Sequence, residues 1–317
     1  MPDTSLGASR QKNLPLWLVH SLMLCAAMIV SGSFTVGAAI THELDPAVLL
    51  LIRYLVAVCC LAPVIFWRYG HFRPSLRQLG GYSMVSICTV GFFWCMFTSL
   101  RYTTAMNTSI IFTLVPGISG VYSALFLGER LGSHRLVALV CGIVGAIWVI
   151  FRGDLGRLLA LEVNQGDLLF LAGCFLMAGY TPLVKTFHRQ ESMVVMTFWV
   201  LVTGLGWLML LALPRLSEVV WPAISVKAWA GILYLAVLST IITFYLTHLS
   251  TLYLGPTRVM AYSYFYPSFV LVLNWLLGHG LPPAMILPGV VVVSLAIIVL
   301  QHGARESQTP HDRPLRR

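Results

Sequence analysis

Ten apolar segments divide this sequence, and each is long enough to cross a lipid bilayer as one helix. A hydrocarbon core about 30 Å thick needs about 20 helical residues, at a rise of about 1.5 Å per residue. The segments lie at roughly residues 15–39, 46–68, 78–100, 103–126, 133–151, 166–185, 192–213, 227–252, 256–278 and 283–301. The connections between them are short. This pattern predicts an all-α integral membrane protein with ten transmembrane helices.

The overall composition supports the membrane interpretation. Of the 317 residues, 58% are hydrophobic and only 10% are charged, whereas soluble domains are about 25% charged. A soluble chain could not hide so much apolar surface, because most of a folded surface must tolerate water. We therefore expect a lipid bilayer as the surrounding medium, and a bacterial-type cytoplasmic (inner) membrane as the location.

Lysine and arginine fall mostly on one side of the predicted membrane. If the N-terminus is cytoplasmic, fourteen of them lie in cytoplasmic segments, five lie in external segments, and Arg53 lies within a helix. This is the bias expected for cytoplasmic loops, so it predicts that both termini are cytoplasmic. It also accounts for the formal net charge of +9. We therefore expect no nucleic-acid partner.

The chain contains an internal repeat. The stretch 99–131 returns in weaker form at 250–281, and Pro116 aligns with Pro267. Each half has five predicted helices, and because five is odd, the second half enters the membrane upside down. Inverted repeats of this kind place a transport site near the midplane between the halves. The predicted divisions are a cytoplasmic tail at 1–12, a first five-helix repeat at 13–153, a second at 154–303 and a cytoplasmic tail at 304–317.

Short motifs occur in a similar order in the two halves. The first half holds Asp45-Pro46, Arg53-Tyr54, Leu100-Arg101-Tyr102-Thr103-Thr104-Ala105, Pro116 and Leu127-Gly128-Glu129-Arg130-Leu131; the second holds Leu254-Gly255-Pro256-Thr257-Arg258, Pro267 and Leu277-Gly278. With these motifs the chain resembles the EamA-type branch of the drug/metabolite transporter superfamily, over about 15–302. The resemblance implies ten helices, alternating access, and export or exchange of small metabolites, often amino acids. One departure is Gly278-His279, where many second halves of the family have Gly-Glu.

Arg53 is the only Lys or Arg well inside a predicted helix. A charge at that depth costs about 2.5–3.5 kcal/mol on insertion scales, so it needs a partner or a water-filled cavity. It could bind a substrate carboxylate through a bidentate pair. It could equally be a structural arginine bonded to carbonyls at a neighbouring helix end. The family that the chain resembles commonly has arginine here across varied substrates, which favours the structural interpretation.

The eighth predicted helix carries a polar face. Thr240, Thr243, Thr247 and Ser250 follow one side at helical spacing, and His248 lies in the same stretch. A polar face on a membrane helix has to point toward partners or water. Alternatively, the hydroxyls bond back to their own helix carbonyls. We expect Thr243, Thr247 and His248 to line the substrate pathway, although His248 could also be a packing histidine.

Aromatic and amide side chains complete the predicted pathway. Aromatic walls suit an apolar or cationic ligand, but many such residues only pack or anchor helices at the membrane interface. An intramembrane asparagine most often links helices. The further candidates for the pathway are Phe34, Trp94, Asn107, Tyr180, Tyr262 and Tyr266.

Pro116 and Pro267 lie at matching places inside apolar segments. Proline removes a backbone donor and allows a bend. These prolines are either hinges for alternating access or static kinks, and the sequence does not separate the two.

Chemistry beyond binding is not indicated. The sequence has no phosphate-binding loop, no hydrolase motif and no Cys/His metal cluster, so we predict no cofactor, no metal and no enzyme activity. The eleven acidic residues fall in tails, loops or helix ends, which predicts transport without obligatory proton movement.

These features together predict a secondary transporter that moves a small organic metabolite by alternating access. An amino-acid-like substrate is the first choice, with efflux or exchange as the direction. A hydrophobic-cation or multidrug exporter is the alternative. A membrane-embedded enzyme and a non-transporting scaffold are the alternatives of another class. The protein is expected to be a monomer or a homodimer.

Overall fold

The structure, a computed structural model, describes residues 14–70, 73–128, 164–189, 191–254 and 261–278, with single positions between 137 and 156 and at 259, 284, 288 and 291. The regular elements in these ranges are helical. They are α1 (Leu16–Ile40), α2 (Pro46–Tyr69), α3 (Leu76–Ser99), α4 (Ala105–Phe112), α5 (Val115–Leu127), α6 (Gln165–Phe187), α7 (Met193–Leu216), a short 3₁₀ turn (Trp221–Ala223), α8 (Val226–Leu233), a π-helical segment (Tyr234–Ile242), α9 (Thr243–Leu254), a 3₁₀ segment (Ala261–Phe265) and α10 (Tyr266–Leu276).

Seven stretches of the described chain are long and apolar enough to cross a membrane. They are α1, α2, α3, the pair α4–α5, α6, α7, and the run from α8 into α9. These are the first four and the sixth to eighth of the predicted segments, so the all-helical membrane class is confirmed. The segments 133–151 and 283–301, and the start of 256–278, lie largely outside the described residues. Ten helices therefore remain a prediction.

Helix starts follow local sequence signals. Pro46 is the first residue of α2, where its missing N–H costs nothing, and the Asp45 side chain accepts the Ala47 N–H at 2.9 Å. Ser75 and Gln78 form a capping box at the start of α3. Each of these caps satisfies donors that a helix end would otherwise leave unpaired.

The fourth predicted helix is interrupted just before its proline. α4 ends at Phe112, and α5 starts at Val115 with Pro116 as its second residue. Proline has no N–H to give the carbonyl four residues earlier, so one backbone hydrogen bond is missing where the helix is interrupted. In the second half, the 3₁₀ segment changes directly into α10, whose second residue is Pro267.

Close helix packing joins the two halves of the chain. α3 packs along α6, α2 along α7, and α1 against α9, α10 and the π-helical segment. Glycines permit the approach: a Cβ at Gly173 would lie 2.8 Å from the Cβ of Cys95, and one at Gly204 would lie 2.9 Å from the Tyr54 ring. Small residues let membrane helices approach closely in this way. The main core therefore lies between elements of the first half and elements of the second.

Candidate functional site

Arg53 is buried in α2 with part of its guanidinium unpaired. Only 1% of its surface is exposed. Nε and Nη2 donate to the Thr240 hydroxyl oxygen at 3.3 Å and 3.0 Å. Nη1 has no hydrogen-bond partner among the residues that the structure describes. A buried polar group in this state costs free energy until a ligand or water satisfies it.

Two phenylalanines of α3 flank the guanidinium. The Arg53 Cζ lies 4.1 Å from the centre of the Phe93 ring and 5.9 Å from the centre of the Phe97 ring. Cation–π attraction of this kind is worth roughly 2 kcal/mol or more when the pair is desolvated. The rings thus stabilise the charge from the side, while Nη1 keeps no hydrogen-bond partner among the described residues.

Thr240 is the residue that positions this arginine. It lies in the π-helical segment, and its hydroxyl donates to the Leu235 carbonyl, five residues earlier, at 2.8 Å. That bond turns the oxygen lone pairs toward Arg53. Single π-helical turns occur frequently at functional sites. The polar face noted in the sequence includes Thr240, but nothing in its periodicity distinguishes this threonine from its neighbours.

The other polar residues of this helix differ from Thr240 in that the hydrogen bonds of Arg53 do not go to them. Thr243 is buried and its hydroxyl donates to the carbonyl of Ser239 at 2.8 Å, which is the back-bonded alternative left open by the sequence. Thr247 is half-buried in α9. His248 also lies in α9, and its side chain is outside the described residues. The Ser239 hydroxyl pairs with the Ser33 hydroxyl of α1.

Six aromatic rings from five helices meet beside Arg53. Neighbouring ring centres within this aromatic cluster lie 5.0–6.4 Å apart, most of them tilted or edge to face. The members are Phe34 of α1, Phe92 and Phe93 of α3, Phe112 of α4, Phe170 of α6 and Tyr266 of α10. Such pairs add about 0.5–1.5 kcal/mol each beyond area burial. The cluster contains two of the predicted pathway residues, Phe34 and Tyr266.

The remaining predicted aromatics lie elsewhere. Trp94 is 37% exposed and is not part of the cluster. Tyr180 packs against a separate group of buried residues around Tyr82. Tyr262 hydrogen-bonds through its hydroxyl to Nδ1 of His20, which lies near the other end of α1. None of these three residues therefore belongs to the aromatic cluster beside Arg53.

Asn107 links helices through a buried carboxylate. Its side-chain amide donates to Asp167 at 3.4 Å, and the Thr103 hydroxyl donates to the same carboxylate at 2.5 Å. Asp167 is fully buried in the first turn of α6, where the positive end of the helix dipole favours a negative charge. The sequence placed Asp167 at a helix end, but its complete burial follows only from the packing of α6 against the turn after α3.

The connection between α1 and α2 closes one end of the bundle. Arg101 donates from Nε to the Thr41 carbonyl at 2.9 Å and from Nη2 to the Leu44 carbonyl at 2.7 Å. Glu43 accepts from both the hydroxyl and the backbone N–H of Ser225, at 2.8 Å and 3.0 Å. These two bonds, and to a smaller extent Lys227, lower the pKa of Glu43. Ser225 is the N-cap of α8, so the contact ties the first half of the chain to the second.

Groups of His, Cys, Asp or Glu that could hold a metal ion are not found in the part of the chain that the structure describes. The groups that the structure places around Arg53 are one guanidinium edge, aromatic faces and the Thr240 hydroxyl.

Comparisons with known proteins agree with this architecture. A protein of Archaeoglobus fulgidus described as an uncharacterized transporter is 25% identical over 257 residues, covering 80% of this chain and 86% of its own. The riboflavin transporter of Vibrio cholerae is 26% identical over 204 residues, covering 63% of this chain and 64% of its own. A solved crystal structure described only as that of a protein superposes with a TM-score of 0.63 at 16% identity, over 92% of this chain and 99% of the other, and this likeness concerns the fold alone.

The family assignment rests on two matched regions. The model of the EamA-like transporter family matches residues 17–151 and again residues 164–301. The two matches account for most of the chain and agree with its two-fold repetition. The chain is thus a multi-pass membrane transporter and not an enzyme, and it belongs to the EamA-like transporter family.

Proposed function

We propose that this protein is a secondary transporter for a small organic metabolite that carries an anionic group, with amino-acid-like compounds as the first substrate class. The proposal includes alternating access, efflux or exchange as the direction, and residence in the cytoplasmic membrane with both termini cytoplasmic. The observation that carries it is the buried Arg53 guanidinium, whose Nη1 group lacks a partner among the described residues.

An anionic group is the ligand that this geometry favours. Arginine presents its N–H groups in a planar fork that matches a carboxylate. At Arg53, Thr240 occupies Nε and one side of Nη2, so the edge that contains Nη1 remains for the ligand. A carboxylate there would satisfy the buried donor and neutralise the charge together.

The surroundings of Arg53 also bear on the remainder of the substrate. The aromatic cluster offers apolar faces, which suit a hydrophobic side chain and can also attract an ammonium group. A cationic substrate with no negative group would instead place its charge beside the uncompensated positive charge of Arg53. Two like charges 4 Å apart repel by about 4 kcal/mol at an effective dielectric constant of about 20. A purely cationic drug is therefore the less favoured alternative.

A planar aromatic metabolite such as riboflavin is a second candidate. It is favoured by the aromatic cluster and by the resemblance to the Vibrio cholerae riboflavin transporter. Rings 5.0–6.4 Å apart would have to separate to admit a flat ligand. A carboxylate of an amino-acid-like substrate would neutralise the Arg53 charge, whereas an uncharged flavin would not. We therefore rank the amino-acid-like class first.

The proposed mechanism uses the interrupted helices as hinges. In the first half the helix is interrupted just before Pro116, and in the second a 3₁₀ segment changes into α-helix just before Pro267. Irregular backbone at membrane depth is typical of transporter sites. Because Asp167 lies in the first turn of α6 and not near its middle, we retain a mechanism in which the substrate moves down its own gradient or by exchange, without obligatory proton movement.

Uptake into liposomes tests the proposal. Purified protein would be reconstituted into liposomes. Labelled neutral amino acids, riboflavin and a hydrophobic cationic dye would then be added outside, each in a separate assay. We expect saturable amino-acid flux that falls at least tenfold in Arg53→Gln, with partial recovery in Arg53→Lys, since a lysine lacks the planar fork. Arg68→Gln, an exposed arginine on the same helix, is the matched control.

The two interpretations of Arg53 give different results. If Arg53→Gln lowers the melting temperature but leaves flux per folded molecule unchanged, the arginine is structural and the proposal fails. If only riboflavin or only the cationic dye is transported, the proposed amino-acid-like substrate class is wrong and that compound identifies the substrate class instead.

A further inference from the structure

The surface between α3 and α7 carries a groove that the transport mechanism does not use. It has a volume of about 550 Å³. The groove is formed mainly by Gly80 and Ser83 of α3 and by Thr203, Gly206, Trp207 and Leu210 of α7. It lies on the outside of the bundle, because Leu210 is 69% exposed and Trp207 is 37% exposed. In a membrane transporter this surface meets lipid.

Two glycines, one on each helix, border open space in the groove. A Cβ atom added at Gly80 or at Gly206 would meet nothing within 4 Å. This differs from Gly173, where the neighbouring helix fills the space directly above the backbone. Gly80 and Gly206 therefore do not serve close packing of α3 against α7, and the missing side chains leave room for another molecule.

The polar groups in the groove already take part in hydrogen bonds. The Trp207 indole N–H donates to the Ser83 hydroxyl oxygen at 3.0 Å. The Thr203 hydroxyl donates to carbonyls of its own helix, those of Trp199 and Val200, at 2.9 Å and 3.1 Å. A polar ligand would gain little from such walls. An apolar chain, in contrast, would cover exposed carbon atoms at no cost in unpaired polar groups.

The start of α3, next to the Gly80 end of the groove, carries positive charge. Arg77 lies three residues before Gly80 on α3, one helical turn nearer the start of that helix, and is exposed. Arg73 is exposed just beyond the helix end. Since α3 begins at the membrane surface, these guanidinium groups lie at the level of lipid headgroups. Each basic side chain near an anionic membrane surface contributes about 1 kcal/mol.

We propose that this groove is a binding site for an anionic phospholipid, with one acyl chain between α3 and α7 and the headgroup phosphate against Arg77. The two glycines provide the space, the satisfied polar groups select hydrocarbon, and the arginines select a negative headgroup. The site is independent of the transported substrate, so it does not depend on the function proposed above.

Native mass spectrometry of the purified full-length protein tests this site. Detergent-solubilised protein would be titrated with phosphatidylglycerol and with phosphatidylcholine that carry the same acyl chains. We expect one phosphatidylglycerol to remain bound preferentially to the unsubstituted protein. Gly206→Leu should abolish that binding by filling the groove, and Arg77→Gln should reduce the preference for phosphatidylglycerol about fivefold, which corresponds to about 1 kcal/mol.

Matched controls separate this site from general lipid attraction. Met209→Leu changes an exposed residue of α7 without being part of the groove, and Arg68→Gln removes an exposed arginine at the end of α2. Both should bind lipid as the unsubstituted protein does. Gly80→Leu is the second groove-filling variant if Gly206→Leu does not fold.

Three results would overturn the proposal. Unchanged retention of phosphatidylglycerol in a folded groove-filling variant would exclude the groove. An equal loss of preference in Arg68→Gln would reduce the effect to general surface charge. A dimer that Gly206→Leu abolishes would identify a second copy of the chain as the occupant.

Discussion

At the scale of single residues, the arrangement around Arg53 depends on one hydroxyl group. The Thr240 oxygen receives two guanidinium N–H groups because its own proton is fixed on the Leu235 carbonyl. Thr243, one helical turn away, also donates to a carbonyl of its own helix, that of Ser239, but the Arg53 hydrogen bonds go to Thr240. Two threonines on neighbouring turns thus have different partners, and this difference supplies an internal control.

Thr240→Val is expected to weaken substrate binding while the protein still folds. Valine has nearly the same shape but cannot accept a hydrogen bond, and a bond to a charged group is worth about 1.5–3 kcal/mol. In the liposome assay the apparent KM should rise about tenfold or more. Thr243→Val should keep a KM close to that of the unsubstituted protein, and equal effects of the two substitutions would contradict the positioning role of Thr240.

Glu43 provides a pH-dependent contact between the two halves. Its hydrogen bonds with Ser225 lower its pKa from the ordinary value of 4.5. A carboxyl group whose pKa is depressed on folding adds stability above its unfolded pKa, and this stability is lost as the pH falls through the folded pKa. The melting temperature of Glu43→Gln should therefore lie slightly below that of the unsubstituted protein at pH 7, and the difference should vanish in acid. A difference that persists below pH 3 would assign the effect to shape and not to charge.

At the scale of elements, glycine has opposite roles at two helix–helix contacts. Along α3 and α6, Gly173 permits a close approach that a side chain would block. Along α3 and α7, Gly206 faces open space. The packing role of a glycine in an apolar helix therefore depends on where the neighbouring helix lies.

Gly173→Ala and Gly206→Ala should shift the melting temperature in different directions. The new methyl group at 173 would lie 2.8 Å from the Cys95 Cβ, which belongs to the main body of a neighbouring helix and cannot rotate away. Overpacking of this kind costs about 1–3 kcal/mol, so thermal unfolding in detergent should occur several degrees lower. Gly206→Ala should unfold at the original temperature or above, because alanine favours helix. A tolerated Gly173→Ala would show that α3 and α6 can move apart easily.

At the scale of the whole molecule, the fold is held together across the two matched family regions. α3 with α6 and α2 with α7 are pairs that join one half to the other. Hydrogen bonds at the α1–α2 connection close one end of this assembly. A carrier that works between two faces needs such joined halves together with elements that can bend, and the irregular backbone just before Pro116 and Pro267 supplies the proposed bending points.

The orientation in the membrane can be tested with single cysteines in a cysteine-free background. Cysteines at His42 and Ser217 should react with an impermeant thiol reagent added outside intact cells, and cysteines at Arg73 and Arg189 should not. All four positions are exposed. The reverse labelling pattern would invert the predicted topology.

The sequence by itself determined the class, the spans that the structure describes, and the helix starts. These properties are local: an apolar run of about 20 residues must form a membrane helix because its backbone cannot find hydrogen-bond partners in lipid, and Pro46 or Ser75 fixes a helix start through its own backbone chemistry. Arg53 also stood out alone, because a charge in an apolar run is rare.

Only the tertiary structure decided which residues meet. Phe34 and Tyr266 join the aromatic cluster, whereas Trp94 and Tyr180, chosen on the same grounds, do not. Thr240 and Arg53 are 187 positions apart in the sequence. Thr240 lies in the π-helical segment, which no periodicity in the sequence indicates. Contacts between distant helices depend on crossing angles and on the rotation of each helix about its axis. The sequence specifies these only through the summed packing of all the helices.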